Sequence, residues 1–474
     1  MNITRRRMLG SAVLVALAAP LVAACGSQAA PTAAPAGKPA EPAKPATPAA
    51  APAAATKPAA APAQAAAPAA APQAASGAKI PLSLATRSGI TGDWARTIAK
   101  RWQERHPEVD LTIHEVPYGD MAKKQLLQIA AGDMEDVSFS GVKWYPYSVY
   151  KGAFRPIDDY LKTNDPGLDD FLKPTLGNAL FEGKMYGLPD KMDNGNLALA
   201  IFNVDHLTAK GLKVPTDEWT IQEFTELAIK AHDKDRGVFG TNYLPTTFYD
   251  YASLARTWGT DIFTPDSKTL LFNTDPKSVE AARWLTDLRA KHKIAPKRDE
   301  SQQGVDFPAG KIAITFDSIS GVQATTKTVG NKFTWDVLLF PKGPTGLRGY
   351  HTFTQNLSIY VKSKQPEKAY DLITLLTSKE AGVYAVVEGN YSPNCRKSVW
   401  ADPQVQKTEK SFPRVFQWIS SVEGTFPIPD NLRFSELQDK WENISLPLWY
   451  GETPFEDGMK KIQEQCQAIM DKPR

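Results

Sequence analysis

An alanine- and proline-rich stretch over residues 29–75 limits how much of this 474-residue chain can fold. Eleven prolines lie between Pro31 and Pro72, and the stretch has no large apolar side chain whose burial could offset the entropy of ordering. Proline favours an extended, semi-rigid chain of about 3.1 Å per residue, which gives a reach on the order of 100 Å. We therefore predict a tether, with the folded body beginning near Lys79.

The segment before the tether has the pattern of an export signal. A basic start that contains Arg5, Arg6 and Arg7 precedes an apolar run over residues 12–24, which is too short to span a bilayer unaided. The run ends in small residues before Cys25, which resembles a bacterial lipobox, and the basic start resembles a twin-arginine signal. These resemblances imply a signal peptide over 1–24 and a lipidated Cys25 that opens a tether over 25–78. The alternative is an uncleaved membrane anchor with an incidental cysteine.

The net positive charge of the chain comes from its amino-terminal end. Residues 1–77 carry six basic groups and one acid, a net charge of +5, against +3 for the whole chain. The remainder therefore holds 49 basic and 51 acidic side chains, a net charge of −2. A body without a basic excess disfavours nucleic-acid binding driven by phosphate neutralisation, and no nucleic-acid partner is expected.

The body alternates strand-like and helix-like segments. Residues 80–85, 109–113 and 136–139 have strand patterns, and they are separated by a helical pattern from residue 91 to 102 and another from 121 to 131. This order predicts a parallel sheet covered by helices. Further on we predict a strand at 197–202, a capping box at Thr220 and Glu223, and helices at 278–291, 366–377 and 455–470. The length calls for two lobes.

Motifs for catalysis are absent from the sequence. It has no phosphate loop, dinucleotide fingerprint or nucleophile elbow, and its six histidines have no zinc-ligand spacing. Two carboxylate pairs, Asp158 with Asp159 and Asp190 with Asp193, could serve a glycosidase, but such pairs are more often solvated or capping groups. We expect no catalytic residue, cofactor or metal. For Cys395 and Cys466 both a disulfide and two separate buried thiols remain open.

Seven segments match a known family in the family's own order. They are 102–107, 127–137 with Glu135 where proline is usual, 152–161, 182–189, 201–205 with Phe202 where tyrosine is usual, 307–314 and 382–393. On these segments the chain resembles the family 1 extracellular solute-binding proteins, the sugar receptors of ABC importers. The tyrosine often contributes to the family's cleft, so Phe202 implies a changed ligand contact.

The resemblance implies an α/β fold of two lobes joined by three hinge crossings, near Asp190, Asp317 and residues 388–391. One lobe would hold residues 79–189 and 317–389, and the other 190–316 and 390–474. A ligand, expected to be a sugar, would enter the cleft between them, the lobes would close, and the importer would recognise the closed form. The implied protein is a monomeric receptor, not an enzyme, anchored by its lipid on the extracytoplasmic face of the cell membrane.

A sugar-binding cleft combines aromatic rings for CH faces with carboxylates, amides and arginines for hydroxyls. Candidates follow the predicted first and third strands, lie at the crossings, or lie on further loops: Arg87, Ser88, Trp144, Tyr145, Asp190, Asn194, Asp317, Trp258 and His351. Each has an ordinary alternative, such as core packing for Trp258 or satisfaction of hinge backbone donors for Asp190 and Asp317.

Other functions remain open at this stage. The same fold could bind a polyamine, a phosphodiester or a peptide, which would require a charged cleft that net charge cannot reveal. A tethered glycoside hydrolase would need two carboxyl groups facing each other. A structural surface protein on a stalk would have neither hinge nor cleft.

Overall fold

A computed structural model describes residues 79–194, 197–389, 391–419, 426–427 and 431–473. The predicted signal peptide, Cys25 and the tether lie outside these residues. Across the part of the chain that is described, no helix has the length and apolar character needed to cross a membrane.

Strands and helices alternate along the body. The strands described are β1 Ile80–Arg87, β2 Val109–Val116, β3 Val137–Gly141, β4 Leu180–Phe181, β5 Lys184–Met185, β6 Leu188–Asn194, β7 Leu199–Asn203, β8 Phe239–Thr241, β9 Ile312–Asp317, β10 Trp335–Leu339, β11 His351–Ile359 and β12 Phe426–Pro427. The helices are α1 Ile90–Arg105, α2 Tyr118–Ala131, α3 Tyr145–Tyr150, α4 Asp158–Thr163, α5 Lys173–Gly177, α6 Val204–Ala209, α7 Ile221–Ala231, α8 Phe248–Thr257, α9 Pro276–Ala290, α10 Arg298–Gln302, α11 Ile319–Val329, α12 Pro366–Leu376, α13 Lys379–Val387, α14 Lys397–Trp400, α15 Pro403–Gln406, α16 Phe412–Ile419, α17 Phe434–Trp449 and α18 Phe455–Met470.

The first lobe is built on a sheet whose centre is the predicted parallel unit. Strand β1 pairs in parallel with β2 and with β3, because α1 and α2 provide the crossovers between them. Strand β11 then joins β3 antiparallel, β6 joins β11 antiparallel, and β12 pairs with the start of β11. Strand β3 is buried along its whole length, as expected for a strand at the centre of a covered sheet.

The second lobe is built on a separate four-stranded sheet in the order β10-β7-β9-β8. Strand β7 is antiparallel to both of its neighbours, and β8 runs parallel to β9. Its core is strongly aromatic, with Phe224 edge-on to Phe316 at 5.1 Å and to Trp219 at 5.9 Å between ring centroids. This second core also buries Trp219, Trp258, Trp400, Trp441 and Trp449.

Local signals placed several elements where the sequence predicts them. Thr220 accepts a hydrogen bond from the Glu223 backbone N–H, and the Glu223 carboxylate accepts one from the Thr220 N–H, so the capping box at the start of α7 is confirmed. Gly132 ends α2 in the left-handed region at φ 67°, where a residue without Cβ carries no steric penalty. The strands and the other helices predicted from periodicity are also present.

The positions of two lobe boundaries differ from the prediction. Residues 317–389 were expected in the first lobe, but β10 pairs with β7, so the chain stays with the second sheet beyond Asp317 and reaches the first sheet again only at His351. Residues 190–194, expected in the second lobe, belong to β6 of the first sheet. Both differences arise because strand pairing between distant segments leaves no local periodicity to detect.

Strand β6 of the first lobe is hydrogen-bonded to the segment that precedes α14. The Met192 N–H donates to the Pro393 carbonyl at 3.1 Å, and the Cys395 N–H donates to the Asp190 carbonyl at 2.9 Å.

Cys395 and Cys466 are both buried and free, so the two cysteines do not form a disulfide with each other.

Candidate functional site

The carboxyl ends of the parallel strands β1 and β3 meet at one edge of the first sheet, where ligands of open α/β sheets bind. Arg87, at the end of β1, lies over the Tyr118 ring at 4.7 Å, and Tyr118 contacts Trp144 at 5.7 Å between centroids. The Trp144 indole N–H donates to Gln125 Oε1 at 2.6 Å, which fixes the orientation of the ring. Gly141 permits this arrangement, because a Cβ there would lie 2.6 Å from the Trp144 ring.

A row of side chains links this edge to the second lobe, and we call it the interlobe seam: Lys143, Tyr249, His351 and Phe434. The Lys143 ammonium lies 5.6 Å from the centre of the Tyr249 ring, across the boundary between the lobes. Tyr249 meets His351 edge-on at 5.3 Å and stacks on Phe434 at 5.7 Å. The seam therefore connects the two lobes through aromatic and cation–π contacts.

Burial determines the charge states within the seam. It raises the pKa of the Tyr249 phenol, an effect that the nearby Asp250 reinforces, so the phenol stays neutral. Burial, together with the charge of Arg256, lowers the pKa of His351 to about 3. The imidazole is therefore neutral at physiological pH, and its Nδ1 lies 2.8 Å from the Ser253 hydroxyl.

Residues of both lobes line a partly open groove with a volume of about 720 Å³, which we call the interlobe groove. Its walls are close in sequence to the seam, because α3 begins directly after Trp144 and Arg433 directly precedes Phe434. The first-lobe wall consists of Tyr147, Tyr150, Lys151, Leu180, Phe181 and Glu182. The second-lobe wall consists of Pro265, Asp266, Ser267, Lys268, Asn431, Leu432, Arg433, Met470, Lys472 and Pro473. Ligand-binding clefts commonly have volumes of roughly 300–1,000 Å³.

Four of the residues predicted for the cleft lie at or near this boundary. Arg87 and Trp144 share the strand-end edge, and Ser88 follows Arg87, with its N–H donating to the Val116 carbonyl at 2.9 Å. His351 belongs to the seam, but it is the first residue of β11 and fully buried rather than on a loop. Their contact with a ligand stays a prediction.

Two predicted aromatic residues lie inside the lobes. Tyr145 is 1% exposed, donates its hydroxyl to the Ala179 carbonyl at 2.7 Å and packs on Phe154 within the first lobe. Trp258 directly follows α8 in the core of the second lobe, where its ring contacts Trp284 at 5.3 Å between centroids. The position of Trp258 corresponds to the core-packing alternative, whereas Tyr145 is buried in its lobe and is not a solvated loop residue.

The predicted hinge residues are divided between the two sheets. Asp190 is 1% exposed within β6, and burial raises the pKa of its carboxyl to about 8, while the charge of Lys191 acts in the opposite direction. Asp317 ends β9, where its carboxylate accepts a hydrogen bond from the Ser318 N–H at 2.7 Å. Asn194 ends β6, and its side chain lies outside the described part of the structure.

Several residues at the boundary were not predicted. Tyr118 starts α2, Lys143 immediately precedes Trp144, and Tyr249 is the second residue of α8. Of these residues, only Lys143 could have been suggested by the sequence, because it is adjacent to the predicted residue Trp144. Phe202, in contrast, is fully buried on Trp219, so it does not face the boundary.

The arrangement offers recognition chemistry and no assembled reaction centre among the described residues. No group of three or more histidine, cysteine or acidic side chains lies together as a metal site within the described ranges. Asp159 has a 95% exposed side chain paired with Lys162, and the Asp158 carboxylate accepts the Met185 N–H, so this carboxylate pair has structural or solvated partners.

Known proteins resemble this chain in sequence and in fold. The family model for bacterial extracellular solute-binding proteins matches residues 88–383. A protein of Brucella abortus (strain 2308) that carries the name of a binding protein is 26% identical over 381 residues, which cover 78% of this chain and 87% of that one.

Solved structures show the same fold at low identity. The sugar-binding protein MalE of Xanthomonas citri superposes with a TM-score of 0.72 at 16% identity, covering 82% of this chain and 97% of that one. An ABC substrate-binding protein of Listeria monocytogenes, solved in complex with cycloalternan, gives 0.70 at 20% identity, covering 83% and 99%. These structures confirm the predicted α/β two-lobed fold. The family model confirms the prediction of a solute-binding protein rather than an enzyme. The chain is a member of the bacterial extracellular solute-binding protein family.

Proposed function

We propose that this protein is a lipid-anchored receptor that captures a saccharide between its two lobes and delivers it to an ABC importer. The observation that carries the proposal is the interlobe groove, which has tyrosines on its first-lobe wall and charged side chains on both walls. A ligand that touches both walls binds the closed form better than the open form, and this differential affinity drives closure. Structural relatives described as complexes with cycloalternan and with acarbose support a saccharide as the guest.

The anchor is supported by the sequence around Cys25 alone. Small residues precede this cysteine at the end of an apolar run, and the alanine- and proline-rich tether follows it. Two acyl chains on one cysteine would hold the protein at a membrane stably, where a single chain would bind only reversibly. The tether would then let the body move while keeping it near the importer.

A thermal-shift screen of the full-length chain carrying Cys25→Ser tests saccharide binding. A ligand that binds only the folded protein raises the melting temperature, because it increases the free energy of unfolding by about 2.7 kcal/mol at a hundredfold excess over Kd. X-ray scattering with the strongest hit should show a smaller radius of gyration than without it. Stabilisation by peptides alone, with every saccharide inactive, would refute the proposed ligand class.

Membrane fractionation tests the anchor separately. We expect the wild-type protein to sediment with membranes and to incorporate a labelled fatty acid, and Cys25→Ser to lose the label. As a matched control, Cys466→Ser in the body should leave labelling intact. Labelling of Cys25→Ser at the wild-type level would contradict the proposed anchor.

A further inference from the structure

Cationic side chains are concentrated on the walls of the interlobe groove. Lys151 lies on the first-lobe wall, and Lys268, Arg433 and Lys472 lie on the second-lobe wall. The acidic residues on the walls are Glu182 and Asp266. The groove therefore carries four cations against two acids, an excess of two positive charges, in a body whose net charge is −2.

Lys151 is held in place by aromatic rings rather than by an acid. Its ammonium lies 5.3 Å from the centre of the Tyr147 ring and 5.1 Å from that of Tyr150. No carboxylate within the described ranges forms an ion pair with it. A cation–π contact orients an ammonium group without neutralising it, so Lys151 retains its full charge for a guest.

The cations of the second wall are only partly neutralised. Arg433 and Lys472 share a single carboxylate, that of Glu436, with Arg433 at 3.6 Å. Lys268 lies 3.9 Å from Asp266, and both side chains are more than half exposed. Counting Glu436 with the wall acids gives four cations against three acids, so an excess of positive charge remains.

This excess has a direct consequence for the guest. A cleft lined by one sign of charge concentrates the field between its walls and raises the local concentration of ions of the opposite sign. A polyamine would be repelled, whereas a carboxylate or phosphate could accept charge-assisted hydrogen bonds from lysine and arginine. Cations on both walls would also let one anion bridge the lobes and favour closure.

We propose that the ligand is an acidic saccharide, a sugar chain that bears a carboxylate or phosphate group, with the acid group in the interlobe groove between Lys151 and Arg433. This inference rests on the proposed function and names the chemical class of its ligand. The carboxylate and phosphate forms share the chemistry of recognition, and the experiment below separates them.

Calorimetric titration of the full-length chain with Cys25→Ser compares matched ligands with and without an ionised acid group. The pairs are tetragalacturonate with its methyl ester, and glucose 6-phosphate with glucose, and inorganic phosphate and spermidine are tested alone. We expect one acidic member to bind at least about tenfold more tightly than its neutral partner, since hydrogen bonds to charged groups contribute that much. The affinity should fall between 50 and 300 mM salt by a factor on the order of three.

Substitutions then locate the acid group. Lys151→Met and Arg433→Met should each weaken the acidic member about tenfold, and neither should change the affinity of the neutral member. Lys100→Met, at an exposed position of α1, serves as the control and should leave both affinities unchanged. A folded Lys151→Met or Arg433→Met with unchanged affinity for the acidic member overturns the assignment.

The remaining outcomes distinguish this inference from the proposed function. Equal affinity for the charged and neutral members overturns the inference and leaves a saccharide receptor standing. Phosphate alone binding as tightly as its sugar ester, or stabilisation by spermidine, also overturns it. If no saccharide of either kind binds, the proposed function itself fails.

Discussion

At the scale of single residues, burial determines the protonation states of side chains near the boundary between the lobes. Asp190 was predicted as a ligand contact, yet its carboxyl is buried within β6, where the Asp190 carbonyl accepts the Cys395 N–H. Desolvation there disfavours the charged form of the carboxyl. A carboxyl with a pKa of about 8 in the folded state is protonated at neutral pH and makes the stability of the protein depend on pH.

Replacing Asp190 with asparagine should remove this dependence. The unfolded carboxyl ionises near pH 4, whereas the folded one keeps its proton to about pH 8. Wild-type stability therefore declines between these values, by up to about 1.4 kcal/mol per pH unit from this group, and the loss is complete above pH 8. The side chain of Asp190→Asn does not ionise, so this variant should be the more stable form at pH 8.

Urea unfolding at pH 5.5, 7 and 8 measures the difference between the two proteins. Asp439→Asn, at an exposed position of α17, is the matched control and should follow the wild-type profile. Parallel profiles for wild type and Asp190→Asn would show that Asp190 is already ionised in the folded protein.

At the scale of elements, local sequence signals fix where helices begin and end. The capping box at the start of α7 satisfies backbone N–H groups that a helix leaves without intrahelical partners. The same helix buries Phe224 against the second sheet, so the cap and the core position it together.

Removal of this cap provides a test at the element scale. Thr220→Ala should lower the free energy of unfolding by about 1 kcal/mol, because the N–H of Glu223 loses its side-chain acceptor. Thr208→Ala, at an exposed position in α6, is expected to change stability by less than about 0.5 kcal/mol. Chemical denaturation of both variants at one pH decides the matter, and equal losses would argue against the capping role.

At the scale of the whole molecule, two separate cores meet along the interlobe seam. One core surrounds the first sheet and the other surrounds the second sheet. The Lys143 contact with Tyr249 crosses between them and can form only when the lobes are together. Loss of this contact should therefore weaken the closed form more than it weakens either core.

Lys143→Met tests this contact. A cation–π contact contributes about 0.5–1 kcal/mol, so the affinity for the saccharide identified by the screen should fall about two- to fivefold. The melting temperature without ligand should stay at the wild-type value, because neither core changes. Titration calorimetry measures the affinity with Lys100→Met as the control, and a lower melting temperature with unchanged affinity would place Lys143 in the fold rather than in closure.

The sequence by itself determined the elements and the family. Periodicity, the capping box and Gly132 reflect interactions between residues a few positions apart, so β1 to β3, α1, α2 and α7 could be predicted without coordinates. Seven segments in the family's order were sufficient to predict the family, because each segment reflects a local requirement of the fold.

Tertiary structure alone decided which residues meet at the boundary between the lobes. The pairing of β10 with β7 and the insertion of β11 beside β3 join segments more than a hundred residues apart, which moved the lobe boundary from Asp317 towards His351. The same long-range packing enclosed Tyr145 and Trp258 and brought Tyr249 to Lys143. Hydrophobicity states that an aromatic side chain will be buried, but only the assembled lobes determine whether it is buried in a core or at the surface they share.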